Sequence, residues 1–110
     1  MKPIGRPKKL RLIENLPKIG QFSPRGKPGR PDEIELSFDQ FEAVRLVDLL
    51  GQDHKEAAGK MEISRQTLER ILKEARKRIS DAIVNGKIIR IFGGEIHLKT
   101  QRNPPRKTQK

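Results

Sequence analysis

Gln66, Arg70, Lys73 and Lys77 stand at steps of four, three and four in a segment that also carries Arg65, Thr67 and Glu69. On a helix those steps place the four on one side. Their chemistry suits a DNA duplex. A glutamine amide can hold adenine with two hydrogen bonds, an arginine can hold guanine likewise, and a carboxylate can accept from cytosine. Arg65, Gln66, Thr67, Glu69, Arg70 and Lys73 are therefore the candidate base-reading residues, with Lys55, Ser64 and Lys77 as phosphate contacts. A solvated helix face, with Glu69 and Lys73 as an i,i+4 ion pair, is the competing interpretation.

The elements around "HKEAAGKMEISRQTLERIL", residues 54–72, decide how such residues are held. Asp53 is placed to cap a short helix, with Glu56 three residues on, that runs to about Lys60. Ala57 and Ala58 are small enough for a second helix to cross closely. Met61-Glu62-Ile63 reads as a tight turn with Ile63 pointing inward, although Glu62 stands where glycine would tolerate positive φ more cheaply. Ser64 then caps a long helix. Its stripe of Leu68, Ile71, Leu72, Ala75, Ile79, Ala82 and Ile83 faces the core, and Asn85-Gly86 end it. These features meet the requirements of a helix-turn-helix, with Ser64-Arg65-Gln66-Thr67 exposed at the start of the second helix.

An earlier helix, "LSFDQFEAVRLVDLLG", props the pair from behind. Ser37 and Gln40 have capping-box spacing, Gly51 is the stop, and apolar residues on nearly every side predict a central position. After the long helix, "IIRIFGGEIHL" predicts a β-hairpin turning on Gly93-Gly94, with Ile91 opposite Ile96 and Ile89 opposite Leu98. Six of the eight prolines lie in residues 1–31, which excludes a long helix or central strand there. "KLRLIENLP" has apolar side chains that can dock. The expected organisation is a partly docked basic arm at 1–33, a folded domain at 34–98 and a basic tail at 99–110. The expected fold is mainly α: three helices, a long third one, a short C-terminal hairpin and flexible arms.

Charge follows that division. The chain of 110 residues carries a net charge of +11. Residues 1–31 hold nine Lys/Arg and one acid, 99–110 hold five Lys/Arg and no acid, and 32–98 hold eleven bases and thirteen acids. Basic ends around a near-neutral centre suit a polyanion. Gly5-Arg6-Pro7-Lys8-Lys9 resembles the core of an AT-hook, which makes Arg6, Lys8 and Lys9 candidates for a narrow minor groove. The absence of cysteine excludes disulfides and thiolate metal sites, and two distant histidines form no ligand cluster. No paired carboxylates, Ser/His arrangement or phosphate loop suggests an enzyme, and no cofactor is expected. No apolar run reaches the ~18 residues of a membrane span, so a cytoplasmic protein is expected.

The segment from Leu36 to Gly94 resembles a family of small, uncharacterised bacterial and archaeal proteins described as predicted DNA-binding. The helical core is similar to region 4 of sigma factors. The resemblance covers about residues 9–94, and its most specific part runs from Glu56-Ala57-Ala58 through Ser64-Arg65-Gln66-Thr67 to Arg76. It implies a helix-turn-helix whose Ser64–Lys73 segment enters the major groove. The chain departs from that family at Leu10, where relatives often have cysteine, and at Glu62, where they usually have glycine. The expected function is sequence-specific binding of double-stranded DNA, as in a transcriptional regulator. RNA or ribosome binding is a second class, though single-strand readers usually offer aromatic platforms. Docking on RNA polymerase through the acidic 32–62 half is a third. A homodimer would show as half-sites ~34–36 Å apart.

Overall fold

The structure is a computed structural model that describes residues 10–26 and 28–99. Along the chain the elements are β1 (Arg11–Ile13), β2 (Gln21–Phe22), β3 (Glu33–Leu36), α1 (Phe38–Val44), a π-helical segment (Arg45–Leu49), α2 (His54–Met61), α3 (Arg65–Asn85), β4 (Ile88–Ile91) and β5 (Ile96–Leu98). Among the described residues, three helices with short strands therefore make the fold.

Each helix begins where local chemistry supplies an acceptor. Ser37 accepts from the Gln40 backbone while the Gln40 side chain accepts from the Ser37 N–H, closing the capping box ahead of α1. Asp53 accepts from the Glu56 N–H at 2.8 Å, and Ser64 from the Thr67 N–H at 3.0 Å. Gly86, in the left-handed region at φ 67°, ends α3.

Two apolar clusters share α3. In its first half, Leu68, Ile71 and Leu72 pack with Ala43 and Leu46 before them and with Ala57, Ala58 and Met61 of α2. In its second half, Ala75 and Ala82 meet Ile34 and Leu36 of β3 and Ile91 of β4. The alternation in β3 buries Ile34 and Leu36 and exposes Glu33 and Glu35, the period of two expected of a half-covered sheet.

The strands correct the predicted hairpin. β4 does not pair with β5. It runs parallel to β3, with Ile34 beside Ile89 and Leu36 beside Ile91, and antiparallel to β2, with Phe22 beside Ile89. β5 leaves for a second sheet, parallel to β1, with Ile13 beside Leu98. A three-stranded and a two-stranded sheet replace the single C-terminal hairpin, so the fold mixes α and β rather than being mainly α. The physical reason lies in what the diglycine touches. Phe38 N–H donates to the Gly93 carbonyl at 2.9 Å, which carries the chain across the start of α1 instead of back along β4. The three helices form the long crossover that a parallel β3–β4 pair requires.

Within the segment expected as a partly docked arm, two described stretches pack on the rest of the chain. Leu12 and Ile13 of β1 are buried, Ile13 almost completely, and β2 closes one edge of the sheet. These strands are only three and two residues long and contain no proline, so the prolines of the segment do not prevent edge pairing.

Two apolar expectations fail. After Val44 the helix widens into the π-helical segment, with Leu50 N–H reaching the Arg45 carbonyl five residues back. The extra residue in that turn rotates the end of the helix, so Leu49 and Leu50 face outward. Ile83, assigned to the core stripe by spacing, is 72% exposed because no described element covers that end of α3.

Candidate nucleic-acid interface

The turn between α2 and α3 sets how the candidate residues are presented. Glu62 has φ 58° and ψ 44°, and is the one non-glycine residue with positive φ among those described. Its N–H donates to the Gly59 carbonyl at 3.2 Å and that of Ile63 to the Ala58 carbonyl at 3.0 Å. This is a Schellman closure built without glycine. Met61, rather than Ile63, is the fully buried plug; Ile63 packs half-buried against the same cluster. The next residue, Ser64, is extended and caps α3, so only residues 62–64 separate the helices.

On α3 the cations divide into two sets. Arg65 Nε lies 3.3 Å from the Glu69 carboxylate, Arg76 lies 2.7 Å from Asp48 in the π-helical segment, and Arg78 lies 3.0 Å from Glu74. Arg78 also donates to the Glu35 carbonyl. Arg70, Lys73 and Lys77 have no such hydrogen bond or ion pair among the described residues and are exposed. With exposed Gln66 they form a stripe about 60° wide and about 16 Å long, centred opposite Leu68, Leu72 and Ala75. The half of α3 that is not buried thus sorts its bases: those on the flanks are neutralised, and those on the outward crest are not.

The acids explain the sorting. Glu69 accepts from Arg65 and pairs with His54 Nδ1 at 3.1 Å across the α2–α3 junction. The His54 hydrogen bond, then Arg65, holds its carboxyl below the ordinary carboxylate range. Asp48 raises the Arg76 pKa by hydrogen bonding. Asp81 is held low by Asn85 and then Lys87, while Lys77 adds only a longer-range attraction.

The nine sequence-derived residues on and beside α3 therefore do not stand alike. Gln66, Arg70, Lys73 and Lys77 share the crest. Arg65 and Glu69 are neighbours on one flank and engage one another, so Glu69 is occupied by two partners, and the predicted Glu69–Lys73 pair is replaced by Glu69–Arg65. Thr67 is half-buried, and its Oγ1 accepts from the Ser64 hydroxyl at 2.9 Å. Ser64 is exposed at the helix start, and Lys55 is exposed in the first turn of α2. Arg6, Lys8 and Lys9 lie outside the described residues. The sequence did not single out His54, Asp48 or Arg76. Their pairings join residues 15 and 28 positions apart, a separation that no local spacing rule covers.

Several acids of the 32–62 half are engaged by cations of the same chain. Glu33 pairs with Arg90 at 2.8 Å and Asp39 lies 3.9 Å from Arg11. Arg45 bridges buried Glu42 and Glu14 at 2.9 and 2.7 Å. Among the described residues, no group of three or more His, Asp or Glu is arranged to hold a metal ion. No described helix is long and apolar enough to cross a membrane.

Comparison with known proteins agrees with the sequence resemblance at the level of family. A family model described as "Protein of unknown function DUF134" matches residues 1–99. A UPF0251 protein of Caldicellulosiruptor bescii is 52% identical over 89 residues, which cover 81% of this chain and 62% of that protein. One from Methanococcus maripaludis is 53% identical over 91 residues, covering 82% and 70%. One from Chlorobaculum tepidum is 50% identical over 93 residues, covering 84% and 61%. The match thus spans about six-tenths of the length of the first and third of these curated relatives. No solved structure matches the chain. With nine-tenths of its length inside one family model and half its residues shared with these relatives over the matched stretch, the chain belongs to the DUF134 (UPF0251) family.

Proposed function

We propose that α2, the turn at Glu62 and α3 act as a helix-turn-helix of the kind found in sigma-factor region 4, and that α3 reads double-stranded DNA in the major groove. One observation carries the proposal: the three cations of α3 that no carboxylate among the described residues neutralises lie in line with Gln66 on its outward crest. A helix that merely faced solvent would gain from pairing those bases as it pairs Arg65, Arg76 and Arg78. Left open, they can meet phosphates and guanine edges, while Gln66 suits adenine. The crest begins within the first turn after the Ser64 cap, where a recognition helix makes its base contacts. Arg65 and Thr67 flank it and would serve to orient it, and Glu69 would hold Arg65 in place rather than accept from cytosine. A transcriptional regulator is the role such binding suits.

The engagement of Glu33, Asp39, Glu42, Asp48 and Asp53 within the chain weakens the case for the acidic half as a polymerase-docking surface. Selection of the full chain on a random duplex library should enrich one short motif, with Arg70→Ala relaxing the preference at a single position. A library that emerges unenriched, with single-stranded RNA bound as tightly as duplex DNA, would overturn the proposal.

A further inference from the structure

On the flank of the molecule away from the crest, two apolar grooves run into one another. The first, about 340 Å³, lies between the π-helical end of α1, the second half of α3 and the β2–β4–β3 sheet, with Leu49, Ile79 and Ile89 in its walls. The second, about 330 Å³, extends it to Leu16 and Ile19 and shares Phe22, Phe41 and Arg45 with it. Ile83 stands one helical turn beyond Ile79 on the same side of α3. Exposure there is high: 49% at Leu16, 55% at Ile19, 51% at Phe22, 76% at Leu49 and 72% at Ile83.

We propose that this face is where a second copy of the chain docks, forming a two-fold dimer. Five large apolar side chains exposed to that degree present on the order of 500 Å², near the upper limit for a monomer. That is more than half of the ~800 Å² that each partner contributes to a standard interface.

Charge makes a like partner acceptable. Two copies of a chain with net charge +11 repel unless the facing surfaces are neutral. At this face most of the charge is cancelled, since Arg45 is held by Glu14 and Glu42 and Arg76 by Asp48, which leaves Lys18 on the rim of the second groove as its one cation without a carboxylate partner among the described residues. The open cations are centred about 130° round α3 from the Ile79–Ile83 edge. Residues 100–110 offer no aliphatic or aromatic side chain besides two prolines, so that segment has nothing with which to fill the groove.

Spacing supplies the third support, and it alone rests on the duplex-binding proposal. Arg70 and Ile83 are thirteen residues apart on one helix, about 20 Å. A two-fold axis beside Ile83 allows two crests to stand up to ~40 Å apart, a span that includes the ~34–36 Å between half-sites one turn apart.

Sedimentation equilibrium of the full chain without DNA should give twice the 12.6 kDa of one chain at high micromolar concentration. Leu49→Asp and Ile83→Asp should each weaken self-association at least about tenfold. Both side chains are exposed, so thermal melts and single-site DNA affinity should stay as in the parent, while cooperative binding to paired half-sites is lost. A monomer at every concentration overturns the proposal, as does a dimer that both substitutions leave intact. So does a monomer whose Leu49→Asp form loses a different protein partner. A dimer with no affinity for duplex DNA would sustain this interface and remove the duplex-binding proposal alone.

Discussion

Gly94 approaches Asp39 so closely that a Cβ on the glycine would lie 2.7 Å from Asp39 Oδ1 and 3.1 Å from Ser37 Cβ. Asp39 is buried and accepts from the Ser37 hydroxyl, whose oxygen also caps α1. The passage from β4 to β5 is therefore pressed against the capping box of α1. Gly94→Ala should cost about 1–3 kcal/mol for the overlap and about 1–2 kcal/mol more for a side chain at φ 105°. Gly93 has φ 81° and a Cβ there would meet no atom within 4 Å, so only the second cost applies to Gly93→Ala. Urea unfolding of both variants checks this, and equal losses would show that the Asp39 contact does not constrain the backbone.

Alanine at Gln66 or Arg70 should remove about 1–3 kcal/mol from binding of a preferred duplex and relax one base position each. Alanine at Lys73 or Lys77 should weaken all duplexes alike and lower the salt slope by about 0.9 per lost phosphate contact. Competition binding at several salt concentrations separates the two classes. Parent-like behaviour in all four variants would rule out the crest as the contact surface.

The strain at Glu62 can be relieved by substitution. Glu62→Gly should leave stability unchanged or raise it by up to about 1 kcal/mol, because left-handed backbone is costly for a residue with a β-carbon. Ser64→Ala, two residues on, should lose about 0.5–2 kcal/mol with the cap of α3. Thermal melts report both, and a marked loss in Glu62→Gly would mean that its side chain matters more than its φ.

Acid should weaken the fold in a defined window. Hydrogen bonds from Arg45, from Arg90 and from His54 with Arg65 lower the pKa values of Glu14, Glu33 and Glu69 below 4.5. The unfolded chain takes up protons first, so this stabilisation is present above about pH 4.5 and is lost as pH falls below it. Urea midpoints should decline on that side, and Glu33→Gln should make the decline shallower. An acid limb of the same steepness in that variant would show that the Glu33–Arg90 pair does not contribute.

Residues 1–9 and 100–110 carry eight of the 25 Lys and Arg. Removing both should lower affinity for every duplex and flatten its salt dependence while preserving the ranking of sequences. An unchanged slope would place these charges away from DNA. Loss confined to A·T-flanked sites would mark Arg6 as a minor-groove contact.

The features legible in the sequence were those that neighbouring residues decide among themselves. Ser37 with Gln40, Asp53, Ser64 and Gly86 are caps because each satisfies or releases backbone groups within a few positions. The positive φ of Glu62 accompanies a three-residue link between two capped helices. Even the outward crest of α3 comes from helical period alone. The tertiary structure decided everything that depends on which distant segment arrives. Ile88–Ile91 and Ile96–Leu98 alternate as a hairpin would, and Gly93-Gly94 has positive φ as a hairpin turn would. Yet β3 and β1 claim these strands, because pairing is set by the partners available and not by the alternation itself. Ile79 and Ile83 share one stripe, but only the first is covered. Likewise, helical period sets Lys77 on the crest and Arg76 on the flank, but it cannot say which cation meets a carboxylate. Asp48 arrives from 28 residues away to neutralise one, and leaves the other on the crest.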